Sequence, residues 1–572
     1  MKQYNTLYTE YSEKMNPDCP FSDYPRPRLV RDSYFCLNGE WDFAVAGEEI
    51  PEVFSERILV PFPPESALSG IERRFSRGER LYYKRTFNLP EGFIRDRVIL
   101  HFGAVDQIAD VWLGGVKVAH HEGGYLPFSV DVTEALSEGE NTLVVKATDD
   151  LSHDYPYGKQ RRRRGGMWYT PVSGIWQTVW LESVPKEYIE EIRISANMRS
   201  ATLKILGGED KKRLTLADGT VYEFEGNELM LEPRDIHLWS PENPYIYDFT
   251  LESGGDSVRS YFALREIGMK EISGVPRLTL NGEPYLFNGL LDQGYFPDGI
   301  YLPATAEGYR DDILAAKSYG FNVLRKHIKV EPGIFYSLCD RLGMIVFQDM
   351  VNNSGYSFLR DTALPTLGMK RLPDRFLHPR QKSREIFIEH MLDEIAYLDS
   401  YPSVLYYTVF NEGWGQFESD KMYALAKAAA PDKIIDTTSG WFTGKMSDVD
   451  SRHVYFKPIK IKKPPTRPLV ISEFGGYSHR VGGHLFGEKN YGYSIFESQG
   501  ELEEALIRLY ECEVGEAIRM GASGFIYTEL SDIEDETNGF LTYDRRRKKL
   551  DPSKIKPVMD KLKEMVSSLN KT

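Results

Sequence analysis

Residues 406–417 read YYTVFNEGWGQF, and this stretch decides how the C-terminal half of the chain is interpreted. The residues from Val404 to Phe410 are almost continuously apolar, as in a parallel strand that is covered on both faces. The run ends on Asn411 and Glu412, an amide and a carboxylate at the start of a glycine-flanked loop. In barrels of parallel strands the chemistry lies where the strands end. The sequence therefore predicts that Glu412 points into an active site.

Strand-like and helix-like segments alternate from about residue 270 onwards. Helix-like TAEGYRDDILAAKSYG precedes strand-like FNVLRKH, and helix-like ELEEALIRLYECEVGEAIRMG precedes strand-like ASGFIYTEL. Roughly eight apolar strands follow Gly289, and residues 554–569 have the apolar spacing of a last helix. This order and this count predict a (β/α)8 TIM barrel.

The residues before the barrel read as two antiparallel β-sandwiches. Between about 30 and 185, short alternating runs such as RVILHFGAV and NTLVVKATDD are separated by Gly, Pro, Asn and Asp. A second and shorter strand region has the length of an immunoglobulin-like domain. The predicted domains are a sandwich over 1–185, an immunoglobulin-like β-sandwich over 186–268 and a catalytic barrel over 269–572.

Bulk composition excludes several classes of protein. The formal net charge of −15 argues against general binding to nucleic acid or to anionic lipid. The four cysteines are scattered without metal-ligand spacing, which is typical of a reducing compartment. The N-terminal residues contain no apolar signal region, and no run of about twenty apolar residues would span a membrane. We therefore expect a soluble, cytoplasmic protein.

A second glutamate stands in the same context as Glu412. The strand PLVIS leads into Glu473, which is followed by Phe474 and two glycines. In a barrel the two glutamates would face each other from the fourth and seventh strands. Glycosidic hydrolysis needs two such carboxyls, one protonated and the other ionised. A single glutamate at a strand end is ordinarily a solvated loop charge, but two in matched contexts favour a catalytic pair.

Other polar residues at strand ends fit around this pair. Asn411 would hydrogen-bond a sugar hydroxyl beside the reacting carbon. Arg325 and His327 end the second strand, where an arginine would keep Glu473 ionised, or would simply form a salt bridge. Tyr455 ends the sixth strand and would donate its hydroxyl to Glu473, unless it is only a packed aromatic.

At this point the sequence resembles glycoside hydrolase family 2, the family of β-galactosidases, β-glucuronidases and β-mannosidases. The resemblance runs over nearly the whole chain, through YPRPRLVRDSYFCLNGEWDF, HFGAVDQIADVWLGG, WYTPVSGIWQTVWLE, HLWSPENPYIYDFTL, NEGWG, ISEFGG and NGFLTYDRR, in that order. It implies that the first sandwich is a sugar-binding jelly roll.

The resemblance also implies roles for individual residues. Glu412 would be the acid/base, with Asn411 as its sugar-contacting neighbour, and Glu473 would be the nucleophile. Arg325 and Tyr455 match positions that support the nucleophile in the family. Members retain anomeric configuration, which implies carboxyls about 5 to 5.5 Å apart.

Departures from the family pattern leave the substrate open. Asp292 and Gln293 follow the first strand, where the well-known β-galactosidases carry a histidine-rich stretch; they would bind sugar hydroxyls, or Asp292 would cap the next loop. The asparagine–lysine signature with which β-glucuronidases hold a carboxylate is not evident. Thr528 and Glu529 occupy the place of a common Trp platform, and Glu529 is a candidate sugar contact.

Two tryptophans and two loops complete the candidates. Trp414 and Trp441 would stack on sugar, although either could equally be core. The insert 351–382 is expected on the aglycone side of the site. The stretch GKQRRRRGG, residues 158–166, is usually a solvated loop, but it would attract an acidic glycan or an acidic subunit if it leaned over the barrel mouth.

The function predicted from these features is a retaining exo-β-glycosidase, β-galactosidase-like. The alternatives are a β-glucuronidase or another β-glycosidase of the family, and a non-catalytic carbohydrate-binding protein. No cofactor and no metal is expected. The expected partner is a carbohydrate substrate, with neither nucleic acid nor membrane, and a homo-oligomer remains open.

Overall fold

The structure, a computed structural model, describes residues 5–369 and 372–571. Its C-terminal part is a parallel eight-stranded barrel in which neighbours in space are neighbours along the chain. The strands, first to eighth, are Phe287–Asp292, Val323–Lys326, Ile345–Asp349, Val404–Asn411, Ile434–Ser439, Asp450–Val454, Leu469–Gly475 and Ala522–Thr528. Strands five and six are the two ends of this sheet. Side chains join them, because Ser439 Oγ lies 2.7 Å from His453 Nε2.

The predicted barrel is confirmed, but its ring of helices is incomplete in the described residues. Helices follow strands one to four, seven and eight, whereas residues 440–449 and 455–468 form none. Four prolines within 455–468 explain the second gap, since proline removes a backbone donor and clashes with the preceding turn. The helices are Glu307–Ser318, Gly333–Leu342, Gln381–Leu398, Ser419–Ala429, Gln499–Arg508 with its continuation through a π-helical turn to Arg519, and Pro552–Ser567.

Further short helical segments lie outside this ring. They are the 3₁₀ turns Glu10–Glu13, Thr133–Ala135 and Ser568–Lys571, the π turn Leu359–Ala363, and the helices Leu364–Thr366 and Asp374–Leu377. The last three lie in the insert 351–382, which follows the third strand. Residues 370 and 371 of this insert are outside the described residues. No helix of the described chain is both long enough and apolar enough to cross a bilayer.

The lower end of the barrel is apolar, and the upper end is polar. Leu291, Phe347 and Val470 pack inside the barrel, and Leu278 and Leu280 from a hairpin below it join this core. The hairpin consists of Ile267–Ile272 and Val275–Leu280, with Glu283–Pro284 added at its edge. Apolar side chains thus close the bottom of the barrel, and the polar strand ends lie at its mouth.

Two sandwiches precede the barrel. The first has a four-stranded sheet (Tyr34–Cys36, Val179–Val184, Arg97–Phe102, Phe128–Asp131), a six-stranded sheet (Glu56–Val60, Gly39–Ala46, Arg80–Phe87, Asn141–Thr148, Ile108–Leu113, Val116–Glu122) and the pair Gly174–Ile175 with Val105–Asp106. The second has a three-stranded sheet (Ile189–Ala196, Ala201–Gly207, Glu228–Leu231) and a four-stranded sheet (Val221–Glu225, Lys211–Leu216, Tyr247–Ser253, Asp256–Phe262).

The first sandwich also reaches the barrel mouth. A long loop between Thr148 and Gly174 contacts the insert, where the Tyr157 hydroxyl donates to the backbone carbonyl of Ser354 at 2.8 Å. The same loop contacts the segment after the eighth strand, where Tyr169 donates to Glu536 Oε1 at 2.8 Å. The barrel mouth is therefore lined by side chains from two domains.

Candidate active site

Glu412 stands at a sharp turn at the end of the fourth strand. Its φ is +53°, and that of the following Gly413 is +72°, so the chain reverses direction over two residues in the left-handed region. A Cβ at Gly413 would lie 2.1 Å from the Phe442 ring, which excludes any side chain there. The Glu412 side chain is 20% exposed. The turn therefore presents this carboxylate at the mouth of the barrel with access to solvent.

Glu473 lies at the end of the seventh strand in a more enclosed environment. Arg325 Nη1 donates to its Oε1 at 3.1 Å, and the Tyr455 hydroxyl donates to its Oε2 at 2.8 Å. Burial by itself would raise the pKa of Glu473, but attraction to His453 and Arg325 outweighs it and holds the pKa below its ordinary value. Glu473 is thus buried and kept as a carboxylate.

His453 lies between the two glutamates. Its Nδ1 is 2.8 Å from Glu412 Oε1 and 3.4 Å from Glu473 Oε2, and Ser439 holds its Nε2. One possible metal-ligand atom from each of Glu412, His453 and Glu473 lies within 4.8 Å of the other two. A divalent cation would accept such a set, but Glu473 already accepts hydrogen bonds from Arg325 and Tyr455. We therefore interpret the cluster as a pair of carboxylates with a shared hydrogen-bond partner.

Arg325 organises the floor of the site. Its Nη2 donates to Asn411 Oδ1 at 2.9 Å, and its Nε donates to Asp349 Oδ1 at 2.9 Å. The second Asp349 oxygen is 2.6 Å from His327 Nδ1. Because Arg325 holds the Asn411 oxygen, the Asn411 amide nitrogen is left to donate to a ligand. The structure therefore brings Arg325 and Tyr455 to Glu473, links Asn411 to the same arginine, and pairs His327 with Asp349.

The predicted residues after the first strand differ in their environments. Asp292 forms a 2.6 Å ion pair with Lys326 and accepts from the backbone nitrogen of Gly294 at 2.9 Å, so it does cap the following loop. Gln293 is buried, and its Oε1 has no hydrogen-bond partner among the described residues. Of the two, Gln293 is the one with spare capacity for a ligand.

Glu529, directly after the eighth strand, is fully buried. Neither carboxylate oxygen has a hydrogen bond of normal geometry in the described chain. Burial raises its pKa well above the ordinary value, and the charge of Glu536 adds to that effect. Glu536 is itself buried, with its pKa raised by burial to about 7.

Several residues of the site were not singled out in the sequence: Lys159, Tyr169, Ser439, His453, Glu536 and Asn538. For Glu536 and Asn538 a signal existed, since SDIEDETN places four acidic residues immediately after a buried strand. For Lys159 and Tyr169 none did, because they come from the first sandwich and only the folded chain brings them to the barrel.

The two tryptophans occupy different places. Trp414 is buried, its Nε1 donates to the Ser354 carbonyl at 3.0 Å, and its ring packs edge-on against Tyr157 and Trp168. Trp441 is half-buried, lies 5.8 Å from the His453 ring, and has no hydrogen-bond partner for its Nε1 in the described residues. Trp414 is therefore part of the core beside the site, whereas Trp441 can still contact a ligand.

The arginine-rich loop leans toward the barrel. Arg164 forms a buried 2.8 Å ion pair with Glu534, whereas Arg161 and Arg163 are exposed. The charge of Lys159, at the start of this loop, lowers the pKa values of Glu473 and Glu536. The loop therefore contributes a cation to the barrel mouth.

Comparison with known proteins agrees with this architecture. Residues 72–185 match the family model for the sugar-binding domain of glycosyl hydrolases family 2. A putative β-glucuronidase of Formosa agariphila is 24% identical over 67% of this chain and 49% of its own length. The β-galactosidase large subunit of Leuconostoc lactis is 23% identical over 72% of this chain and 67% of its own length. The chain thus spans about half to two thirds of the length of these relatives.

Among solved structures, the β-D-glucuronidase of Dictyoglomus thermophilum superposes with a TM-score of 0.73 at 19% identity. The match covers 95% of this chain and 98% of that one. The shared fold therefore includes both sandwiches and the barrel. The chain therefore contains a domain that matches the sugar-binding domain of glycosyl hydrolases family 2, within the fold of that β-D-glucuronidase.

Proposed function

We propose that the protein is a retaining exo-β-glycosidase that removes terminal β-linked sugars by double displacement. The observation that carries this proposal is the pair Glu412 and Glu473, whose carboxylate oxygens approach within 4.8 Å across the barrel mouth. Carboxyls separated by about 5 to 5.5 Å are typical of retaining enzymes, whereas inverting enzymes need room for a water between them. The unlike environments of the two glutamates support a division of roles.

The proposed mechanism assigns a residue to each step. Glu473 attacks the anomeric carbon, the bond to the leaving oxygen breaks, and Glu412 gives its proton to that oxygen. Water then attacks the glycosyl–enzyme, Glu412 takes its proton, and Glu473 leaves as a carboxylate. Arg325 and Tyr455 keep Glu473 ionised and oriented, and the Asn411 amide binds a hydroxyl next to the reacting carbon.

The glycone proposed is a neutral hexose, as in a β-galactosidase. Buried carboxyl groups after the eighth strand support it, because a carboxylate accepts hydrogen bonds from sugar hydroxyls. A uronic acid is the second candidate. It is favoured by Lys159, a cation at the barrel mouth, and by the names of the putative β-glucuronidase and the β-D-glucuronidase above.

A panel of 4-nitrophenyl β-galactoside, glucoside, glucuronide, mannoside and fucoside tests the proposal, with Glu473→Gln as the control. Turnover of one substrate, with retained configuration by NMR and loss in the control, is the expected result. Inverted configuration would contradict double displacement. A folded protein that turns over none of the panel but binds sugar would favour the non-catalytic alternative.

A further inference from the structure

Four buried polar side chains gather at the barrel mouth, and their hydrogen-bonding capacity is largely unused. They are Gln293, Glu529, Glu536 and Asn538, here called the acidic pocket, and each is at most 4% exposed. In the described chain no hydrogen bond of normal geometry reaches the two Glu529 oxygens, the Asn538 amide nitrogen and oxygen, or Gln293 Oε1. Gln293 and Glu536 do approach Glu529, and Asn538 approaches Glu536, closely enough to affect the pKa values of the two carboxyls, but these contacts lack good hydrogen-bond geometry. Buried polar groups are nearly always satisfied in folded proteins. So many unused atoms in one place indicate a ligand.

The backbone holds these residues side by side. The Glu529 nitrogen donates to the Asn538 carbonyl at 3.2 Å, so the segment after the eighth strand folds back on itself. Gln293 follows the first strand, which pairs with the eighth. Tyr169 from the first sandwich donates to Glu536 and fixes its carboxyl. The acidic pocket is thus built by neighbouring strand ends and closed by a second domain.

The acidic pocket lies on the nucleophile side of the site. Thr528, the residue before Glu529, is 2.7 Å from the Tyr455 hydroxyl, which in turn donates to Glu473. The eighth strand is four strands away from the fourth, which carries Glu412. The leaving group departs toward Glu412, because that residue protonates it. The acidic pocket therefore faces the glycone.

We infer, building on the glycosidase function proposed above, that the acidic pocket reads the glycone and selects a neutral sugar over a uronic acid. Carboxylates accept hydrogen bonds and sugar hydroxyls donate them, so a hydroxylated glycone satisfies the unused oxygens. A uronate would bring a third carboxyl group beside Glu529 and Glu536. That carboxylate donates no hydrogen bond, and a buried site that already disfavours the ionised forms of two carboxyls also disfavours a further negative charge.

Lys159 opposes this selection, and its effect can be separated from that of the two glutamates. Its ammonium has no ion pair and no hydrogen bond in the described residues, and it lies 5.7 Å from the centre of the Trp168 ring. One ammonium faces two carboxyls here. We therefore expect the glutamates to dominate.

The test is the ratio of kcat/KM for 4-nitrophenyl β-galactoside and β-glucoside to that for 4-nitrophenyl β-glucuronide. It is measured for wild type, Glu529→Gln, Glu536→Gln and Lys159→Gln, with the exposed Glu516→Gln as matched control. We expect wild type to prefer a neutral substrate. In Glu529→Gln and in Glu536→Gln, kcat/KM for that neutral substrate should fall about 10- to 100-fold, as when a hydrogen bond to a charged group is lost.

For Glu529→Gln and Glu536→Gln the loss on the neutral substrates should appear mainly in KM, and kcat/KM for the glucuronide should not fall, so that the ratio decreases. Lys159→Gln should increase the ratio. Glu516→Gln should leave the ratio unchanged. A wild type that prefers the glucuronide, or a ratio unchanged in both pocket variants, would overturn the inference.

If no substrate is hydrolysed, calorimetric titration with galactose, glucose and glucuronate separates the two proposals. A neutral sugar that binds wild type, and that binds folded Glu529→Gln and Glu536→Gln at least about 10-fold more weakly, supports the acidic pocket even though the glycosidase proposal has failed. Preferential binding of glucuronate, or no binding of any of the three, would overturn the pocket as well.

Discussion

Strands four and seven end in similar ways, with a glutamate at or near a glycine turn, yet the two carboxylates have unlike surroundings. Glu412 is partly exposed and contacts His453, whereas Glu473 is buried and held by Arg325 and Tyr455. Both turns need glycine, since a Cβ at Gly413 or at Gly475 would lie about 2 Å from an aromatic ring. The motif therefore builds a turn that presents a carboxylate, and the neighbours decide what the carboxylate does.

The largest effect should come from removing the carboxylate of Glu473. Glu473→Gln is expected to lower kcat by more than about 10⁴-fold with every leaving group, because a nucleophile is needed for each substrate. Steady-state rates on 4-nitrophenyl and 2,4-dinitrophenyl glycosides measure this. A variant that kept activity on the more reactive substrate would contradict the assignment.

Glu412→Gln should distinguish the proposed acid, Glu412, from the proposed nucleophile, Glu473. We expect a loss of about 10²- to 10⁴-fold on a glycoside with a poorly acidic leaving group, in the range of general acid catalysis. The loss should be much smaller for the first step on 2,4-dinitrophenyl glycosides, because that leaving group needs no proton. Pre-steady-state release of dinitrophenol measures this step, and equal losses on both substrates would mean that Glu412 is not the acid.

Tyr455→Phe tests what keeps Glu473 ionised. Without the 2.8 Å hydrogen bond the pKa of Glu473 should rise, so the acidic limb of kcat/KM should move to higher pH. A fall of about 10- to 100-fold in kcat/KM near neutral pH is expected for the loss of a bond to a charged group. An unmoved acidic limb would show that Arg325 and His453 are sufficient without Tyr455.

The sequence predicted the strand ends that carry a local pattern. An apolar run that leads to a glutamate at the start of a glycine-containing loop identifies Glu412 and Glu473, and the alternation of strands and helices predicts that they meet. In the structure Arg325 and Tyr455 contact Glu473, and each lies at the end of a strand of the same barrel. Whether all four act as proposed stays a prediction until these variants are measured.

Two other features could not be read from the sequence. Nothing local to Lys159 or Tyr169 indicates that a loop of the first sandwich reaches the barrel, since that contact depends on packing between domains. The incomplete ring of helices was missed for a different reason. The (β/α)8 prediction rests on a count of strands. Such a count does not show that the proline-rich residues 455–468 form no helix.

Glu536 sharpens the comparison with Glu473, because it is equally buried but forms no ion pair with an arginine among the described residues. Burial raises its pKa to about 7, and the charge of Lys159 only partly lowers it. In the unfolded chain the carboxyl titrates near 4.5, so the folded protein holds a proton that the unfolded chain loses. Stability is therefore lost as pH rises from about 4.5 to 7, and it stays lost above that range.

Glu536→Gln removes this loss and also removes the charge that raises the pKa of Glu529. We compare the free energy of unfolding of the variant with that of wild type at pH 5 and at pH 8. The difference should shift in favour of the variant by about 1–2 kcal/mol when the pH is raised from 5 to 8. Urea denaturation at the two pH values measures the gain, with the exposed Glu516→Gln as control. A difference between Glu536→Gln and wild type that does not change with pH would mean that Glu536 is ionised throughout. In that case burial would not govern this carboxyl, and the contrast with Glu473 would have to rest on Arg325 alone.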